Sequence, residues 1–116
     1  MAKTLTTDVF WQPLGQIACL LQLAADHLWE AADNAGIDSP LHSLGLGSFL
    51  AASQATEMLP PDHEVPEHSP GESSDPLRLL EAVEQLTRQL DPRLAGASDL
   101  SITVTELVRE ARASAA

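Results

Sequence analysis

Asp26, His27 and Glu30 are the first residues in the chain whose types and spacing suggest chemistry. On a helix, positions 26 and 30 lie one turn apart, and 27 and 30 are i, i+3 neighbours, so the three side chains converge. Helical bundles hold metal ions with such sets, using Glu-x-x-His steps on two helices and further Glu from the others. Here the order is His-x-x-Glu and it occurs once. A solvated polar face near a helix end is the plainer account. A second set, His63, Glu64, Glu67 and His68, offers two imidazoles and two carboxylates to a divalent ion. Its spacing follows no metal-ligand pattern, and it lies in a proline-rich acidic stretch that would lose entropy on ordering. No metal or other cofactor is expected.

Nucleophilic catalysis finds no constellation. Ser39, Ser43, Ser48 and Ser53 lie close together, but none sits in a Gly-x-Ser-x-Gly elbow. Gly45-Leu46-Gly47 lacks the third glycine, the strand-to-helix context and the nearby cation of a phosphate cradle. Cations are scarce: Lys3, Arg78, Arg88, Arg93, Arg109 and Arg112. Cys19 is the one cysteine, so neither an intramolecular disulfide nor a cysteine zinc cage can form. It sits in an apolar run, Ile17 to Leu21, and reads as a buried thiol. No catalytic residue is assigned, and the chain is not expected to be an enzyme.

Trp11, His27, Trp29 and Phe49 remain as interface or pocket candidates. Trp29 adjoins Leu28 and reads as core or interface. Trp11 precedes Pro13 and either caps an end of the fold or anchors a partner, tryptophan being enriched at interface hot spots. Were there a ligand pocket, Leu, Ala, Phe49 and Trp29 would line it, with His27 or Cys19 as the polar contact.

Helices must position these residues. From Leu14, apolar residues recur at Ile17, Leu21, Ala24, Leu28, Ala31 and Ala35, a stripe of alternating three- and four-residue gaps. The first helix is expected over 12–35, with Pro13 in its first turn. Gly36 ends it, and Ile37 is expected to make the hydrophobic contact of a Schellman ending. Asp38-Ser39-Pro40 reads as a cap and proline opening a second helix over 40–58. Its stripe is Leu41, Leu44, Ser48, Ala51, Ala55 and Met58, with Phe49, Leu50 and Ala52 beside it. Gly45 and Gly47 each cost about 1 kcal/mol in a helix. Either the helix breaks near Gly45, or Gly47, Ala51 and Ala55 form a small-residue ridge that lets another helix approach closely; a continuous helix is expected.

Residues 59–75 hold Pro60, Pro61, Pro66 and Pro70 with five acids, and read as an exposed connection. Asp75-Pro76 opens a third helix over 76–90, with Leu79, Val83, Leu86 and Leu90 on its stripe and Glu84 paired to Arg88. Asp91-Pro92 ends it. Ser98 or Asp99 caps a fourth helix over 99–113, striped by Leu100, Val104, Leu107 and Ala111. Residues 101–105 also alternate like a strand, but a lone strand has no partner to pair with.

The expected fold is therefore all-α: a single-domain four-helix bundle made of two antiparallel helical hairpins joined by the Pro-rich acidic linker. At 1.5 Å per residue the first helix spans roughly 36 Å and the third about 22 Å. That mismatch, with a Leu- and Ala-rich core, favours a homodimer. Composition sets further bounds. The 116 residues carry 17 acids against 6 bases, a net charge of -11. A nucleic-acid binder relies on Lys and Arg, so direct binding is not expected. Nor is an anionic membrane surface, and no run reaches the ~18 apolar residues of a membrane span. Residues 1–77 hold 11 acids and one base, whereas residues 78–116 hold six acids and five bases. No secretory leader is read at the start, so the expected location is the cytosol, and the Ala/Leu-rich, lysine-poor style suggests a bacterial source. The leading functional expectation is a small acidic protein that works by association, with itself or another protein. The alternative is a small-ligand-binding or enzyme-accessory bundle with an apolar pocket. A third reading is an acidic decoy mimicking nucleic acid.

Overall fold

A computed structural model describes residues 2–37, 39–60 and 75–115, with side chains described for 11–37, 39–60 and 75–114. They form four helices: α1 (Ala2–Ala35), α2 (Leu41–Met58), α3 (Pro76–Thr87) and α4 (Ala97–Ala115). No strand occurs among them, and the 101–105 alternation lies within α4. α1 packs on α2 and α3, and α4 packs on the same two. One core runs through all four, with Leu14, Ile17, Leu21, Leu28, Leu44, Leu80, Val83, Leu100, Val104 and Val108 fully buried. The stretch 61–74, most of the expected linker, lies outside the described residues.

α1 begins ten residues before the expected start, and Pro13 is interior to it rather than in its first turn. Its 34 residues match the 50 Å long axis of the molecule, being about 51 Å at 1.5 Å per residue. Near its end the buried residue is Ala32, while Ala31 is half-buried and Ala35 exposed. An alternating 3,4 spacing averages 3.5 residues, and a straight helix drifts away from it by about 20° per heptad. Gly36, at φ 103°, closes α1 by donating to the Ala32 carbonyl at 3.2 Å. That single bond is the simpler left-handed cap, not the Schellman ending, and Ile37 is 89% exposed.

Ser39 caps α2, its Oγ accepting from the Leu41 N–H at 3.1 Å. α2 is unbroken through its glycines, and each glycine meets a different neighbour. A Cβ on Gly45 would stand 3.2 Å from the Trp29 ring on α1. A Cβ on Gly47 would stand 2.8 Å from Leu107 Cδ2 on α4. Small residues therefore bring two helices close to α2. Leu59, expected in the exposed connection, is buried in the core instead.

Asp75 caps α3, its Oδ1 accepting from the Leu77 N–H at 3.1 Å. α3 ends at Thr87, three residues early. There Thr87 Oγ1 donates to the Glu84 carbonyl, and Gln89 and Leu90 make tighter i→i−3 bonds to Leu86 and Thr87. Leu90 stays buried beyond the helix. Arg88 donates to Gln85 rather than to the expected Glu84. α4 starts at Ala97, so Ser98 and Asp99 fall inside its first turn rather than before it. Gly96, at φ 88°, makes the approach, and its carbonyl accepts from Leu100 at 2.9 Å. Asp99 sits where a carboxylate favours the helix dipole.

Candidate functional site

The four candidate residues fall in three places. His27 and Trp29 are two residues apart on α1, so about 200° of rotation separates them and they flank it on opposite sides. Both are half-buried. The Trp29 ring lies over Gly45, and Phe49 stands one turn beyond Gly45 on α2, 42% exposed. Trp11 is packed on the core toward the opposite end. It lines an open depression with Asp91, Arg93, Leu94 and Ala95 of the α3–α4 turn.

A separate apolar cleft of about 140 Å³ lies where parts of all four helices meet. Leu28, Leu41, Leu44, Leu77 and Ala111 line it, with Asp75 and Ser114 at its polar edge. Trp29, Phe49, His27 and Cys19 do not line this cleft. Leu41 and Leu77 lie in the first turns of α2 and α3 and are half-buried, whereas Leu28 and Leu44 are buried at its floor.

The polar candidates are dispersed. Asp26 and Glu30 are exposed, and Asp26 accepts from Gln22 Nε2 at 3.3 Å. Among the described residues no group of three or more His, Cys, Asp or Glu side chains is placed to hold a metal ion. His63, Glu64, Glu67 and His68 lie outside the described residues. Cys19 is buried and not in a disulfide. Ser48 is fully buried in the middle of α2, and its Oγ has no hydrogen-bond partner among the described residues.

Among the described residues, electrostatic perturbation falls on surface groups. Arg93 grips Asp91 through its side chain, with Nη2 3.0 Å from Oδ2, and its backbone N–H also donates to Oδ1. These bonds hold the Asp91 carboxyl below its ordinary 3.8 and push the Arg93 guanidinium up. Arg112 on α4 donates to Glu81 on α3 at 2.8 Å, which raises its pKa in turn. Both pairs are solvent-exposed and bring no acid, base or nucleophile into a cleft.

α2 presents a further feature. Leu46, Phe49 and Leu50 are 49%, 42% and 57% exposed within little more than one turn. They sit away from the buried face of Leu44, Gly45, Ser48, Ala51, Ala52 and Ala55. Sequence reasoning singled out Phe49 alone. The signal for the other two was present: α2 holds a second i, i+3, i+4 apolar set in a helix whose one acid is Glu57. No helix among the described residues is long and apolar enough to cross a membrane. No protein-family model, curated protein or solved structure matches the chain.

Proposed function

We propose that the protein is a non-enzymatic association module of the cytosol, binding itself or another protein through the outer face of α2. The observation that carries this reading is the exposed set Leu46, Phe49 and Leu50. Large apolar groups clustered on one helix face favour burial against a partner, at roughly 25 cal/mol per Å² of apolar area. In this reading the bundle consists of two antiparallel hairpins, α1–α2 and α3–α4, joined by the Pro-rich acidic stretch, and it is of bacterial origin. The expected assembly is a homodimer. Light scattering across a concentration series, with affinity capture on the immobilised chain, tests the reading. Concentration-dependent mass, or a captured protein lost on Leu50→Glu, supports it. A strict monomer that retains nothing removes it.

The cleft at the helix ends supports a second reading, a small-ligand-binding or enzyme-accessory bundle. A cavity of about 150 Å³ lined by Leu and similar residues is large enough for a benzene-sized molecule. Thermal-shift screening should then return an apolar compound whose effect disappears in Leu44→Phe, which fills the space. The decoy reading draws on the net charge of -11, but α2 contributes one acid to it.

A further inference from the structure

The cleft at the helix ends has a floor and an edge that discriminate between ligands. The core stripe of α4, Leu100, Val104 and Leu107, ends in Ala111, whose side chain is too short to fill the space beside Leu28, Leu44 and Leu77. What remains is a cleft of about 140 Å³ with a leucine floor. A cavity of about 150 Å³ with such a lining holds one benzene-sized ring. Water gains little on that floor, since a bound water needs roughly two to four polar partners.

The edge offers acceptors rather than donors. Asp75 and Ser114 stand there. Ser114 lies in the last turn of α4, where the final carbonyls of a helix have no partner within it. The donors that open α3 are engaged: Pro76 has no N–H, and the Leu77 N–H donates to Asp75 Oδ1 at 3.1 Å. The Leu79 N–H donates to the Asp75 carbonyl, also at 3.1 Å. Among the described residues lining the cleft, Asp75 alone is ionised. Arg78 Nε lies 3.9 Å from its Oδ2, and Arg112, between Ala111 and Ser114, is held by Glu81 at 2.8 Å. A ligand carboxylate would therefore be repelled by Asp75 and an ammonium by Arg78. A neutral O–H or N–H meets neither repulsion.

We infer that the cleft binds a single neutral six-membered ring bearing one hydrogen-bond donor, phenol being the simplest case. The ring rests on Leu28 and Leu44, and the donor points to Asp75 and Ser114. The inference rests on the small-ligand reading and adds the class of ligand.

Phenol, toluene, benzylamine and benzoate are compared by methyl NMR titration of the full chain. Phenol should saturate, with shifts centred on the methyls of Leu28, Leu41, Leu44 and Leu77, and should bind more tightly than the other three. Ala111→Leu fills the space and should weaken phenol roughly tenfold or more, with the circular dichroism unchanged. Leu44→Phe should act alike, so the result does not hang on one variant. Asp75→Asn keeps the α3 cap, asparagine capping as well as aspartate, and should bring phenol down to the affinity of toluene. Toluene, benzylamine or benzoate matching phenol overturns the inference while the small-ligand reading stands. So does an advantage of phenol over toluene that survives Asp75→Asn. Shifts that never saturate for any of the four, or that ignore both cleft-filling variants, overturn both.

Discussion

Ser48 is the residue most at odds with its surroundings. Its hydroxyl is fully buried with no hydrogen-bond partner among the described residues. Leaving such a group unsatisfied costs about 1–3 kcal/mol, and alanine is also the better helix former. Ser48→Ala should therefore stabilise the protein by about 1 kcal/mol, read as a rise of several degrees in the thermal midpoint. An unchanged or lowered midpoint would show that the hydroxyl finds a partner in solution. Asp91 carries the residue-scale pH dependence. Its folded pKa lies below the ordinary 3.8, so its contribution to stability is complete above that value. It is lost as pH falls through the lowered folded value. A carboxyl NMR titration should place the Asp91 midpoint below 3.8, and Arg93→Ala should return it toward 3.8. The stability change is small, because the pair is exposed.

At the scale of the helices, α1 and α2 each carry residues that disfavour a helix. Pro13 lies inside α1 and cannot donate to the carbonyl four residues before it. An interior proline costs roughly 3 kcal/mol, part of which relaxation of the helix recovers. Pro13→Ala should thus raise stability by about 1–3 kcal/mol, together with helical circular dichroism. No change would mean that α1 begins at Pro13, as its missing N–H allows in a first turn. Gly45 and Gly47 have a compensating role, since Trp29 and Leu107 stand where their Cβ atoms would be. Helix ends were readable because they depend on local atoms. Ser39 and Asp75 cap through their own side chains, and Gly36 and Gly96 accept positive φ where a Cβ would be strained. The early start of α1 was not readable, because Pro13 is compatible with both a first turn and an interior kink. The second apolar set on α2 was visible in the spacing, but which of the two sets stays exposed was not, since they differ only by rotation about the axis.

For the whole molecule, a single core links all four helices, and the two tryptophans report on different regions of it. Trp11 stands beside the α3–α4 turn, and Trp29 beside Gly45 near the start of α2. With one core there is one cooperative unit. Trp11→Phe and Trp29→Phe variants, each leaving a single fluorophore, should therefore unfold in urea with that fluorophore and the circular dichroism sharing one midpoint. Separate midpoints within either variant would divide the bundle into independently melting halves.

Periodicity, caps and composition were enough to specify four helices, most of their boundaries and the residues facing the core, because these follow from backbone geometry and short-range hydrogen bonds. The same evidence set aside catalysis and direct nucleic-acid binding as leading readings, on residue types alone. Which side chains meet was decided by the tertiary structure. It separated His27 from Trp29 around α1 and set Trp29 over Gly45. It also put a cleft at the helix ends and left Leu46, Phe49 and Leu50 uncovered. Helix rotation and neighbour choice come from packing among distant segments, and a one-dimensional pattern lists apolar residues without saying which of them the other helices reach.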